Sequence, residues 1–270
     1  MKMFSTVKTI FLDLLFPVFC LGCKKEGVFL CGDCKNKLVW IQPSCFGCNK
    51  WVQPSVRASP GVGRPRVTAG LVKSQTPQAS AGALAHRTFN GAGRTCLSCR
   101  KKSAIYAFFS PFLYSDSLVR NLIHGLKYNH LRSLADLLGE LLVEYMAKFK
   151  ISFPQNTLLV PVPLHPSRFR NRGFNQAEQI VLYLSDRLKI ESAVKALQKI
   201  RKTKAQVELS AQDRRLNLIG AFVVSDPNLV KNKTILLVDD VKTTGATLAE
   251  TARILKAAGA GRILVLTVAR

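Results

Sequence analysis

The segment Ile235-Leu-Leu-Val-Asp-Asp-Val-Lys-Thr-Thr-Gly-Ala-Thr247 constrains the fold more than any other stretch of this chain. Lys233 to Asp240 has the continuous apolar core of a strand buried on both faces, and Ala246 to Ala258 has helical spacing. Between them stand two adjacent acids and a turn of small residues with three hydroxyls. A strand that runs through such a turn straight into a helix belongs to a parallel sheet, and ligands bind at the carboxyl edge of parallel sheets.

The rest of the C-terminal region fits that architecture. Ala104 to Tyr114 is strand-like and broken at Pro111, and Ser117 to Leu126 and Leu131 to Phe149 have helical spacing. The apolar run Thr157-Leu-Leu-Val-Pro-Val-Pro163 precedes a helix from Asn175 to Leu188, and Arg262 to Ala269 reads as a last strand. Strands alternating with helices predict an α/β fold, a parallel sheet flanked by helices on both faces.

The turn has a definite chemistry. Thr243, Thr244, Gly245, Ala246 and Thr247 can aim backbone N–H groups and hydroxyls at one point, with the positive end of the following helix behind them, and that point suits a phosphate. Gly245 lets the backbone come close and adopt a conformation that other residues resist. The carboxylates of Asp239 and Asp240 would repel a phosphate, so they are expected to face sugar hydroxyls or a hydrated Mg²⁺. Acids beside a phosphate nest are what a ribose with a 5-phosphate requires. The pattern is not a Walker loop, because Gly-x-x-x-x-Gly-Lys-Ser/Thr is absent. Taken alone, a pair of acids at a strand end could equally be solvated and structural.

All eight cysteines precede residue 100 and form four Cys-x-x-Cys pairs: Cys20/Cys23, Cys31/Cys34, Cys45/Cys48 and Cys96/Cys99. That is knuckle spacing for tetrahedral thiolate sites, and it implies a reducing, cytoplasmic compartment. Seven residues separate the first two pairs and 47 the last two. Two structural zinc ions, paired in sequence order, is the expectation, with the long separation weighing on the second; a redox role would not need four complete pairs.

The separating stretch, 49–95, carries seven bases and no acid and has neither a helical nor a strand period, so it reads as a disordered insertion inside the cysteine module. A basic strand gripping nucleic acid is the alternative. The chain as a whole carries 40 Lys and Arg against 16 Asp and Glu, a net charge of +24, which favours an anionic partner: nucleic acid or a phosphorylated metabolite. Met1 to Phe19 is basic and then apolar, but Asp13 interrupts it and no small-x-small site follows. An amphipathic helix over Thr6 to Leu15 is expected there, and no segment has the roughly 20 uninterrupted apolar residues of a membrane span.

The line VDDVKTTGAT resembles the phosphoribosyl pyrophosphate loop of type I phosphoribosyltransferases. Two further stretches narrow the likeness: Val160-Pro-Val-Pro-Leu-His-Pro166 running into Arg168-Phe-Arg-Asn-Arg-Gly-Phe-Asn-Gln-Ala-Glu178, and Thr203 to Gln206 followed by Leu209-Ser210 and Arg214-Arg-Leu-Asn217. With the cysteine knuckles in front, the chain resembles the ComF family, competence-associated phosphoribosyltransferase-like proteins with an N-terminal zinc ribbon. The resemblance implies a small Cys-rich module with its N-terminal helix over 1–103 and a phosphoribosyltransferase-like domain over 104–270. It implies a pyrophosphate loop at Arg168, Arg172, Gly173 and Asn175, where guanidinium forks suit paired phosphates and a solvated basic face is the plainer alternative. It also implies a mobile closing loop with Arg201, Lys202, Thr203 and Gln206, and a position near the site for Lys127.

Catalysis of the glycosyltransferase class would place Asp239 and Asp240 beside the reacting sugar, with Mg²⁺ on the leaving pyrophosphate. The resemblance further implies partners in competence: single-stranded DNA and the DNA import machinery. Two other readings stay open, a metabolic phosphoribosyltransferase acting on a base or amine, and a nucleic-acid-binding scaffold with a vestigial site. The acceptor is not legible in the residues.

Overall fold

The computed structural model describes residues 17–52, 91–128, 133–203 and 217–270. The helix expected over Thr6 to Leu15, most of the stretch 49–95, and Gln206 lie outside the described residues. The central sheet holds four strands: β1 (Ile105–Phe109), β2 (Thr157–Pro161), β5 (Thr234–Val241) and β6 (Ile263–Ala269). Their order is β1-β6-β5-β2 and every pairing is parallel. A separate antiparallel pair joins β3 (Leu197–Lys199) to β4 (Phe222–Val224). The helices are α1 (Gly32–Asn36), α2 (Leu97–Arg100), α3 (Ser117–Tyr128), α4 (Ser133–Lys148), α5 (Pro166–Arg172), α6 (Gln176–Leu188) and α7 (Ala246–Ala257).

The continuous apolar runs of the sequence are explained by two buried faces. In β5, Leu236 and Val238 join the core shared with α3, α4 and α6, whereas Ile235 and Leu237 join the core under α7. The two-residue period of a strand thus feeds both layers, and each fully buried aliphatic side chain contributes roughly 1.5–3 kcal/mol. Gly139 in α4 has a specific job: a Cβ there would run into the Tyr183 ring on α6, so its absence permits the two helices to approach.

Where the expected elements shift, the cause is local. The strand expected over Ala104 to Tyr114 covers only Ile105–Phe109, since Pro111 has no N–H to donate, and a single bridge between Phe112 and Ala269 resumes the pairing. Helix α5 was not expected, although Pro166 at its first turn and the His165 side chain, which accepts from Ser167 N at 3.2 Å, are ordinary start signals.

Both edges of the sheet are covered by backbone from outside the regular strands. Along β1, Thr95 N donates to Tyr106 O and Phe108 N donates to Gly93 O. Along β2, Leu159 N donates to Glu191 O and Ala193 N donates to Leu159 O. The cysteine module seats itself on the same body: Trp40 lies 4.8 Å from Phe112 and 6.3 Å from Tyr145 between ring centroids, and Phe46 meets Phe108 edge-on at 5.6 Å.

Candidate functional site

The eight cysteines gather into two sets, Cys20/Cys23/Cys31/Cys34 and Cys45/Cys48/Cys96/Cys99, with the sulfurs of each set within 4.8 Å of one another. The close pairs are Cys23–Cys31 at 3.5 Å, Cys45–Cys96 at 3.6 Å and Cys48–Cys96 at 3.9 Å. Four sulfurs about 2.3 Å from a common Zn²⁺ would stand about 3.8 Å apart along each tetrahedral edge, so both sets fit such an ion. Each set also turns a backbone N–H onto a sulfur, Cys31 N to Cys20 Sγ and Cys96 N to Cys45 Sγ, both at 3.4 Å. Burial and the neighbouring thiols push Cys34 up to about 12, and the hydrogen bond with Cys96 does the same to Cys99. A divalent cation would take the place of those protons. The 47 intervening residues therefore do not prevent the second set from closing.

The second centre of chemistry is a cleft at the carboxyl edge of the sheet. Its floor is the end of β5. Asp239 Oδ1 accepts from Asp240 N at 2.9 Å, and Asp240 Oδ2 is paired with Lys127 Nζ at 2.6 Å. Burial, then the charge of Asp240, holds the Asp239 carboxyl well above the usual carboxylate range. Burial works against the Lys127 ammonium, but the charge and hydrogen bond of Asp240 outweigh it and raise Lys127 above its ordinary value. The last turn of α3 thus supplies the cation that keeps two adjacent acids at the bottom of the cleft.

One wall is the turn into α7. Gly245 sits at φ 76°, in the left-handed region, and Ala246 N donates to Thr244 Oγ1 at 3.4 Å. The first turn of α7 follows at once, so its N–H groups and positive end face the cleft. The rest of the lining is basic: Arg168, Arg172, Lys199 and His165 contribute to it together with Thr203. Burial and then the charge of Arg168 depress Lys199 to about 8, and its ammonium donates to Thr203 Oγ1 at 2.9 Å. His165 is held below its ordinary value by desolvation and by Lys199, Lys202, Arg170 and Arg168 around it. An anion in the cleft would relieve this mutual repulsion.

Thus Asp239, Asp240, Thr243, Gly245, Ala246, Thr247, Arg168, Arg172, Asn175, Thr203 and Lys127 converge on one cleft. Gly173, Thr244 and Arg201 stand just outside it. Gly173, at φ 74°, ends α5 by donating its N–H to Phe169 O. Asn175 is committed to the fold: its amide donates to Val162 O at 3.0 Å, and its oxygen caps α6 by accepting from Ala177 N at 3.2 Å. Arg201 donates to the carbonyls of Asn217 at 2.9 Å and Ile219 at 2.7 Å. The sequence reading missed Lys199 and His165. Both lie within or beside the stretches it singled out, but nothing in residue type or spacing separates them from surface bases.

A floor of acids, a threonine-glycine turn and a basic wall at one sheet edge form the frame of a sugar-phosphate site. A model of the phosphoribosyl transferase domain matches residues 171–270. The chain carries a phosphoribosyl transferase domain. It is also a homologue of proteins named for competence and DNA utilization. DNA utilization protein YhgH of Salmonella typhi is 35% identical over 146 residues, 53% of this chain and 63% of that protein. Competence protein F of Haemophilus influenzae is 36% identical over 140 residues, 52% of this chain and 60% of that protein. Competence protein ComFC of Streptococcus pneumoniae is 33% identical over 115 residues, 41% and 47% of the two chains. The chain thus spans about three fifths of the length of the first two. The match to the phosphoribosyl transferase domain contains the acid pair, the turn and α7, and it begins inside α5 at the basic wall.

Proposed function

We propose that the cleft binds phosphoribosyl pyrophosphate with Mg²⁺, and that the protein uses this site in handling single-stranded DNA during competence-related uptake. One observation carries the first half: two carboxylates at the end of β5 line the same cleft as the threonine-glycine turn and the bases Arg168, Arg172 and Lys199. In this reading Thr243, Thr244, Gly245, Ala246 and Thr247 hold the 5-phosphate, and Asp239 and Asp240 accept from the ribose hydroxyls. The basic wall receives the pyrophosphate, which Mg²⁺ would help to neutralise. For transfer at ribose C1, these residues would orient the sugar and hold the departing pyrophosphate. Thr203 lines the cleft beside Lys199.

The competence role is supported by the names of the homologues and by the net charge of +24. We assign 1–103 to the cysteine module and 104–270 to the phosphoribosyltransferase-like domain. The eight thiols support a cytoplasmic location. Among the described residues no helix is long and apolar enough to cross a membrane.

Both cysteine sets are taken to hold structural Zn²⁺, since four thiolates close the coordination sphere and leave no position for substrate. Elemental analysis is expected to return two zinc ions per chain. One ion only would leave one set without its assignment, and none would remove the module's.

Titration calorimetry tests the cleft. Phosphoribosyl pyrophosphate should bind with Mg²⁺ and not without it, and a single-stranded oligonucleotide should bind independently of both. Because Lys199 is depressed to about 8, the free protein loses that positive charge as pH rises through that value, and the bound anion draws the proton back. Affinity should therefore fall between about pH 7 and 9, with proton uptake on binding near pH 8, and Lys199→Gln should flatten the profile. Absence of binding at any pH, with DNA binding retained, would favour the scaffold reading.

A further inference from the structure

We propose that Phe46, on the knuckle of the second cysteine set, is a positioning residue for the phosphate-binding turn, so that metal in that set and affinity for phosphoribosyl pyrophosphate are linked. This rests on the reading of the cleft given above. Closed four-thiolate sites do no chemistry of their own, but the contacts place part of the cysteine module underneath the turn.

Phe46 lies between two ligands of the second set and is 7% exposed. The knuckle that carries it is fixed by Asn49 N donating to Cys45 O at 3.0 Å and Cys45 N donating to Lys50 O at 2.9 Å. Its fit against the other pair is tight, since a Cβ on Gly47 would come within 2.7 Å of Cys99 Sγ. The Phe46 ring therefore moves with the cysteine set.

From that base the knuckle grips the turn at two points. At the C-terminal end of the turn, a Cβ on Gly245 would stand 2.8 Å from Phe46 Cζ, so the ring tip rests against the glycine backbone that starts α7. At the N-terminal end, Lys242 is folded inward and only 8% exposed. Its ammonium lies 5.1 Å from the Phe46 ring and 5.3 Å from the Phe108 ring, and donates to Asn49 Oδ1 at 3.3 Å. Lys242 also lines the cleft, and its ammonium is tied to the knuckle. Between these anchors lie Thr243 and Thr244, both exposed. A nest of N–H groups and hydroxyls binds phosphate well only when held within a fraction of an ångström of the right geometry. The glycine at its end has no side chain of its own to supply that support, and Phe46 supplies it from the other module.

The closing experiment uses the zinc-loaded full chain, with three readouts: zinc content, thermal melting, and calorimetric titration with phosphoribosyl pyrophosphate and Mg²⁺. Phe46→Leu keeps the position apolar but withdraws the ring tip from Gly245. It should retain both metal ions and lose at least tenfold in affinity. Val265→Ala, in the same apolar cluster but outside the cleft, provides the control for stability alone and should bind as wild type. Cys99→Ser should drop the zinc content by one and weaken binding at least as much as Phe46→Leu. If wild type binds and Phe46→Leu binds equally well, the inference is overturned. It is overturned too if Val265→Ala loses as much affinity for the same loss of melting temperature. Wild type that does not bind the sugar phosphate overturns the cleft's assignment, and this one with it.

Discussion

Asp239→Asn combined with Asp240→Asn is expected to lower Mg²⁺-dependent affinity for phosphoribosyl pyrophosphate by more than a hundredfold, while the protein stays folded. The two carboxylates are the acceptors available to the ribose hydroxyls at the floor of the cleft, and the charge that draws the cation. Hydrogen bonds to charged groups contribute about 1.5–3 kcal/mol each, so two of them account for a loss of this size. Stability should respond in a way that identifies the acids. Asp239 is raised in the folded state by burial and by Asp240. Its contribution is therefore fully present below about pH 4, the unfolded value, and is lost as pH rises through the raised folded value. The amide variant carries no such penalty, so its melting temperature should gain on wild type as pH rises above about 4 and through the raised folded value. Affinity for a single-stranded oligonucleotide should stay level or rise slightly, because negative charge has been removed. Equal titrations for wild type and variant would sink the assignment of the floor.

Lys127→Met should destabilise the protein by about 3 kcal/mol at pH 7, at the lower end of the range for breaking a buried ion pair because the cleft admits water. The Lys127 and Asp240 side chains are 19% and 11% exposed and 2.6 Å apart. Removing the ammonium leaves Asp240 beside Asp239 with no countercharge. The cost arises from the stranded acids rather than from the missing lysine, so Lys127→Met with Asp240→Asn should recover most of it. The pH dependence has the opposite sign to that of Asp239. Lys127 is raised in the folded state, so its stabilisation is complete below about 10.4 and is lost as pH rises through the folded value. Urea midpoints for wild type, both singles and the double close the cycle. If Lys127→Met unfolds at the wild-type midpoint, the pair does not hold the floor together.

The layers of this fold are legible along the chain because each is written in neighbouring residues. Leu236 and Leu237 alternate between two cores, and that alternation is visible as an unbroken apolar run. The same holds for the acid pair and the threonine turn, whose chemistry is complete within nine residues, and for the spacing of each cysteine pair. What escaped the reading is written between distant residues. Lys199 looks like any surface base until β3 folds it into the cleft beside Arg168, where burial and that charge depress it. Phe46 is one aromatic among fifteen phenylalanines, and its meeting with Gly245 spans almost 200 positions. Strands β3 and β4 have three residues each, too short for a period to register. Arg201 illustrates the reverse: the resemblance puts it on a closing loop, but here its guanidinium straps two backbone carbonyls.

The pairing of Gly93 and Thr95 along β1 has a bearing on the fate of the protein when metal is lost. These residues immediately precede Cys96, so the second cysteine set holds in place the backbone that covers this edge of the sheet. The strand beneath, Ile105-Tyr-Ala-Phe-Phe109, is aromatic, β-prone and uncharged. Such a strand, once its open N–H and C=O groups face solvent, is a template for other chains to add to. Depletion of metal would then appear as self-association and loss of protein from solution, alongside the weakening of the cleft.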